Sequence, residues 1–141
     1  MDHFKLRTMH LTLAPGILEE VFQHAKAAFP NEACGLLVGR DMADRFIPVK
    51  NISPSAQEYE MEPAELIAAL RGLRESGERL IAIVHSHPHG PAAPSKTDVD
   101  RAYYPEAAHL IISLAELERP RAEAFRIIDG EALPVELRAI V

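Results

Sequence analysis

The sequence predicts a single mixed α/β domain spanning residues 1 to 141. Three observations carry this expectation. Apolar residues recur at spacings of three and four in two segments, whereas elsewhere they alternate or run continuously in short stretches, so helical and strand periods intersperse along one chain. Hydrophobic residues make up 48% and charged residues 26%, the balance of an ordinary soluble globular domain. No internal repeat, linker or low-complexity tract divides the 141 residues, a length that buries roughly two thirds of the unfolded surface without staples.

From Lys5 to Leu13, apolar and polar positions nearly alternate, which predicts a half-buried strand. In "APGILEEVFQHAKAAFP", Leu18, Val21, Phe22, Ala25 and Phe29 line one face of an amphipathic helix. Pro15 is expected in its first turn, and Pro30 is expected to end it. Cys34 to Val38 is short, apolar and flanked by glycines, the pattern of a buried strand, and "RFIPVKNI" is its expected antiparallel partner. "SPSAQEYEMEP" is a polar connection with a short extended piece at Tyr59 to Met61. Residues 62 to 75 place Leu66, Leu70 and Leu73 on one helical face, with Gly77 as the stop.

"RLIAIVHSHP" is a nearly continuous apolar run ending in histidines, as in a central strand buried on both faces. A short helix is expected in "SKTDVDRAYY", followed by strands in "HLIISL", "RAEAFRIIDG" and "LPVELRAI", with Asp129-Gly130 as a turn.

Charge and cysteine usage narrow the function classes. With 15 Lys+Arg against 21 Asp+Glu, the net charge is -6. A surface of that sign repels phosphate backbones, so nucleic acid is not the expected partner. The single cysteine, Cys34, cannot form an internal disulfide and excludes a four-cysteine zinc site, so any zinc must sit on His, Asp or Glu. "MDHFKLRTMHLTL" has no apolar core behind a basic start, and no later run approaches a membrane span. The expected location is the cytoplasm, away from membranes.

The stretch "HSHPHGPAAPSKTD" at 85 to 98 concentrates the chemistry. If the apolar strand continues through them, His85 and His87, two apart, point to the same side of the sheet, as two imidazole ligands must. Pro88 removes a ladder donor and ends the strand. Asp98 is a candidate third ligand, carried back by a loop stiffened by prolines. Two histidines, one carboxylate and an open position form a hydrolytic zinc arrangement, which lowers the pKa of water to about 7. Such chemistry also wants a carboxylate base, and none lies between His85 and Ser95. Glu32, at the mouth of the buried "CGLLVG" strand just after a helix, is the best-placed candidate.

The pattern His-Ser-His-Pro, six residues, Ser, two residues, Asp, with a glutamate upstream before an apolar glycine-flanked strand, resembles the JAMM motif of JAB/MPN-type metalloproteases. "NEACGLLVG" is similar to the glutamate-bearing segment of the small stand-alone prokaryotic members, and the likeness runs from about Leu11 to the C-terminus. The resemblance implies a cytidine-deaminase-like α/β sandwich, a curved mixed β-sheet flanked by helices. It implies a Zn2+ hydrolase that cuts peptide or isopeptide bonds at the C-terminal tails of ubiquitin-like proteins. His85, His87 and Asp98 would be the metal ligands. Glu32 would take a proton from the attacking water and pass it to the leaving amine, and Ser95 would help hold the oxyanion.

The chain has little room for the insertions with which larger eukaryotic relatives select ubiquitin chains. Prokaryotic members of this kind are associated with small β-grasp sulfur carriers, which the resemblance therefore implies as substrate. The substrate tail is expected as an extended strand along the edge near residues 57 to 61, with small residues at the cut. The resemblance leaves homo-oligomerisation open. Two alternatives stand beside it: a non-catalytic MPN-type scaffold and a RadC-like metal-dependent nuclease, the latter disfavoured by charge.

The remaining candidates have bland readings. Ser95 and Asp98 also match a capping box, a role compatible with presenting Asp98 to a metal. His89 lies past Pro88 and reads as a bystander. His3, His10, His24 and His109 lack ligand-spaced partners and read as structural or solvated. Cys34 reads as an inert buried thiol, and Glu19, Glu20, Glu60, Glu62 and Glu65 as exposed helix positions.

Overall fold

A computed structural model describes residues 10–141. The strand expected from Lys5 is described from His10 onward as β1 (His10–Leu13), and its first five positions lie outside the described residues, as does His3. The chain continues through α1 (Ile17–Ala28), β2 (Cys34–Gly39), β3 (Arg45–Val49), α2 (Pro63–Ser76), β4 (Arg79–His87), α3 (Lys96–Asp100), β5 (Ala108–Ser113), β6 (Arg121–Ile128) and β7 (Glu131–Ala139).

The seven strands form one mixed sheet in the order β1-β7-β6-β5-β4-β2-β3. The β4/β5 and β1/β7 pairs are parallel and the rest antiparallel. Helices pack on both faces, which is the α/β sandwich expected of the sequence. On one face, alternate residues of β4 and β5 (Ala82, Val84, Leu110, Ile112) meet Ile17, Val21 and Ala25 of α1 in the larger core. On the other face, Leu36, Val38, Val49 and Ile83 meet Leu73 of α2 in a smaller one. The face under α2 also carries His85 and His87, because side chains two apart in a strand share a side.

Local chemistry explains most element ends. Glu62 caps α2 by accepting the Glu65 N–H at 2.7 Å, and Gly77 closes it with φ 77, a left-handed conformation that glycine adopts without a Cβ penalty. Asp129 and Gly130 (φ 52 and 79) turn β6 into β7, as a tight hairpin requires. One expectation is corrected. Pro15 does not lie in the first turn of α1, because Gly16 (φ 84) is its N-cap and the helix begins at Ile17. A left-handed residue cannot be part of a right-handed helix, so the prolyl ring stays in the approach to it.

Candidate metal centre

β4 is an interior strand of the sheet, hydrogen-bonded to β2 on one side and β5 on the other. Its last residues are held straight to the end, with the Leu114 N–H donating to the His87 carbonyl at 3.0 Å. His85 and His87 project from the same face and their Nε2 atoms lie 3.1 Å apart. Past the strand, the Ser113 hydroxyl donates to the Gly90 carbonyl at 2.6 Å, pinning the loop over the strand end. His87 Nδ1–H donates to the Pro91 carbonyl at 2.8 Å. That bond puts a proton on Nδ1 and turns Nε2 toward the site.

The loop ends in α3, where Ser95 and Asp98 form a reciprocal capping box. The Asp98 N–H donates to Ser95 Oγ at 3.1 Å, and the Ser95 N–H donates to Asp98 Oδ2 at 2.9 Å. The same Oδ2 lies 3.1 Å from His85 Nε2 and 3.0 Å from His87 Nε2. The carboxylate that completes the cap is therefore also the one that lies against both imidazoles. Two nitrogens and an oxygen form a triangle with edges of 3.0 to 3.1 Å. Zinc–ligand distances near 2.0 Å in a tetrahedron imply edges of about 3.3 Å, so these donors would need to spread by only a few tenths of an ångström to hold such an ion.

Glu32 is 3% exposed, and its Oε1 has no hydrogen-bond partner among the described residues. Ligand atoms of Glu32, His85 and His87 all lie within 4.8 Å of one another. Burial pushes the Glu32 carboxyl up to about 7, against an opposing pull from His87 and with help from Asp98. Main-chain bonds hold it there. Its N–H donates to the Ser55 carbonyl at 2.7 Å, and its own carbonyl accepts from the Asn51 side-chain amide at 2.9 Å. The next residue is clipped to β4 through Ser86, whose Oγ accepts from the Ala33 N–H at 2.8 Å.

The three triangle members titrate differently for physical reasons. Burial opposes ionisation of Asp98, but hydrogen bonds from His85 and His87 outweigh it and hold the carboxyl far below the usual range. His85 is pulled down, by burial first, despite Asp98. Burial also pulls at His87, yet its bonds to Asp98 and the Pro91 carbonyl leave it raised overall. A neutral imidazole and an ionised carboxylate are the forms that bind a cation.

The structure thus brings Glu32, His85, His87 and Asp98 together, with Ser95 exposed at the rim. His89 turns away and packs edge-on against Phe29, with ring centroids 5.6 Å apart. Cys34 is buried, its thiol donating to the Val49 carbonyl at 3.4 Å, and burial pushes that thiol up to about 12. His24 has its Nε2 3.1 Å from the Cys34 carbonyl. His109, by contrast, is buried with its Nε2 lacking a partner among the described residues.

Several residues around the site carried no chemical motif. Tyr59 stacks on the His85 ring at 4.8 Å and 24°, although "SPSAQEYEMEP" reads as a polar connection with an extended piece at Tyr59 to Met61 and gives that ring no role at the site. Its lone aromatic residue was the available signal. Asn51, Ser86 and the Pro91 carbonyl act through long-range contacts that no spacing encodes.

Beside Asp98 opens a cavity of about 460 Å³, walled by Tyr59, Met61, Leu66, Ile83 and Tyr104, with His109 in its lining. Glu58 and Arg101 face each other across it at 3.8 Å. The set as a whole can hold a divalent ion on three donors while a buried carboxyl waits within reach, the constellation for activating water in hydrolysis.

The model of the prokaryotic homologs of the JAB domain matches residues 15–128. A "CysO-cysteine peptidase" of Mycobacterium tuberculosis is 32% identical over 123 residues, covering 85% of this chain and 84% of that protein. A "Probable TtuB-protein conjugate cleaving protease" of Thermus thermophilus is 43% identical over 88 residues, covering 62% of this chain and 60% of the relative. A Desulfitobacterium hafniense protein solved in solution superposes with a TM-score of 0.83 at 37% identity, covering 92% of each chain.

Proposed function

This chain belongs to the family of prokaryotic homologs of the JAB domain, and on that footing we propose that it is a zinc-dependent hydrolase acting on the C-terminal tail of a ubiquitin-like protein. The bond cleaved is a peptide or isopeptide bond, and the substrate is a β-grasp protein, either ubiquitin-like or a sulfur carrier. The observation that carries the reading is the 3.0 to 3.1 Å triangle of His85 Nε2, His87 Nε2 and Asp98 Oδ2, with the Glu32 carboxyl beside it, its Oε1 unpartnered among the described residues. The names borne by the mycobacterial and Thermus relatives, a peptidase and a conjugate-cleaving protease, support the same reaction class.

In this reading His85, His87 and Asp98 hold the ion. Zinc, when bound, supplies Lewis-acid activation of water and polarisation of the scissile carbonyl. Glu32 accepts the proton that water gives up as its oxygen adds to the carbonyl carbon. It then hands that proton to the amine nitrogen as the C–N bond breaks. A carboxyl pushed up to about 7 serves both halves near neutral pH, and a nearby cation would favour its ionised, accepting form. The Ser95 Oγ already accepts from Asp98, so its O–H remains available to donate to the oxyanion.

The cavity beside Asp98 supports a place for the tail. Its wall includes residues 58 to 61, the extended piece whose Met61 bridges Asn51. The intact donor set argues against a non-catalytic scaffold, and the net charge of -6 against a nuclease. A single domain, working in the cytoplasm, completes the reading; no helix among the described residues is long and apolar enough to cross a membrane.

The test measures zinc content and cleavage of a ubiquitin-like protein bearing a C-terminal extension. About one zinc per chain is expected in wild type and much less in His87→Ala. Glu32→Gln should keep zinc and lose cleavage. A folded wild-type protein that takes up no zinc would overturn the proposal.

A further inference from the structure

A histidine that ligates a metal ordinarily donates its second ring nitrogen to an acceptor, and that bond sets the ring's orientation. His87 obeys, through Pro91. His85 does not: it is fully buried, and its Nδ1 has no hydrogen-bond partner among the described residues. Its Nε2 side meets Asp98 at 3.1 Å, but on the Nδ1 side no hydrogen bond among the described residues fixes the ring plane. The candidate is Tyr59, whose ring lies over it at 4.8 Å and only 24° from parallel. His87 approaches the same ring at 4.9 Å but tilted by 60°, so it does not clamp a face.

Tyr59 is itself held firmly. The Ile52 N–H donates to the Glu60 carbonyl and the Glu62 N–H to the Lys50 carbonyl, both at 2.9 Å. Between them the Glu60 N–H donates to Asn51 Oδ1 at 2.9 Å. The other end of that amide grips the Glu32 carbonyl at 2.9 Å. One asparagine therefore ties the segment bearing Tyr59 to the segment bearing Glu32.

From this geometry we infer that Tyr59 is the positioning residue for His85, its ring plane replacing the missing hydrogen bond at Nδ1. The inference rests on the reading of His85 as a ligand, but its first consequence concerns the ring itself. Flat aromatic pairs gain from offset stacking, and the contact needs the ring of Tyr59 rather than its hydroxyl. Phenylalanine should therefore substitute and an aliphatic residue should not.

The experiment uses the whole chain with nitrogen-15 label, as wild type, Tyr59→Phe and Tyr59→Leu, with Tyr59→Met in place of the leucine variant if that one does not fold. Histidine ring proton–nitrogen correlations are recorded on metal-free protein, with His85→Gln assigning the signals. Zinc affinity is then measured by chelator competition. Tyr59→Phe should keep the His85 ring signature and bind zinc within about twofold of wild type. Tyr59→Leu, with an unchanged backbone amide spectrum away from the loop, should broaden or average the His85 ring signals. It should weaken zinc binding by about 10- to 100-fold, the usual cost of losing a ligand's support.

A folded leucine variant with an unaltered His85 signature would overturn the inference, as would a phenylalanine variant as impaired as the leucine one. If wild type binds no zinc, the metal reading fails, while the metal-free ring spectra still decide the role of Tyr59.

Discussion

The side-chain amide of Asn51 donates to the main-chain carbonyl of Glu32 at 2.9 Å, nineteen residues away in sequence. Its oxygen accepts from the N–H groups of Ser53 and Glu60, both at 2.9 Å. Asn51→Ala strands three main-chain groups at once and should cost about 2 kcal/mol of stability. Asn51→Asp keeps both acceptor bonds but sets a carboxylate against the Glu32 carbonyl. It should lose more activity than stability. Denaturant midpoints measured beside kcat/KM check this, and an aspartate variant with wild-type kcat/KM would refute it.

The His85, His87 and Asp98 donors converge in the folded chain alone, so zinc should bind the native state and stabilise it by mass action. At a free concentration of about 100 times Kd the gain is about 2.7 kcal/mol, or roughly 5 to 10 °C in Tm for a chain of this size. A thermal melt with and without zinc should show this shift in wild type and little of it in His87→Ala. An equal shift in both would mean that the ion binds elsewhere.

His109 gives stability a pH dependence of definite sign. Burial first, then the nearby His85, push its imidazole down to about 4 in the folded state, against about 6.5 in an unfolded chain. Above pH 6.5 both states are neutral and nothing is lost. As pH falls from 6.5 to 4 the unfolded state takes up a proton that the folded one refuses, so stability drops by up to about 3 kcal/mol. Below pH 4 this loss levels off. Urea denaturation across that window should show the drop in wild type, and His109→Gln should flatten part of it; identical slopes would count against the assignment.

Ser95→Ala separates the capping role of Ser95 from its proposed role as an oxyanion donor. Loss of an N-cap costs about 1 kcal/mol, and α3 has only five residues, so global stability should change little. Loss of an oxyanion donor costs about 100-fold or more in kcat. The expected result is a large fall in kcat with zinc still bound. A fall in zinc affinity alone would assign Ser95 to holding Asp98 in place.

Much of the site was legible because its signals are local. His85 and His87 share a side through the period of a strand, and Ser95 and Asp98 announce a helix start through the spacing of a capping box. Continuous apolar runs marked the buried strands β2, β4 and β5, and Asp129-Gly130 marked the last hairpin. The start of α1 was misjudged by the same local logic, since Pro15 suits a first turn and only the backbone shows Gly16 left-handed.

The sequence by itself determined the periods of its elements and which residues share a face, because those depend on neighbours within a few positions. It also named His85, His87 and Asp98 as candidate donors. Only the tertiary structure decided that Glu32 sits beside two histidines more than fifty residues away, its Oε1 without a hydrogen-bond partner among the described residues and its carboxyl pushed up to about 7. Pairing β2 against β4 sets Cys34 beside His85, and that register carries Glu32 to the strand end. The stack of Tyr59 on His85 belongs to the same class. Both depend on strand register and on the path of a loop, which are settled by packing across the whole sheet and leave no periodic trace in the chain.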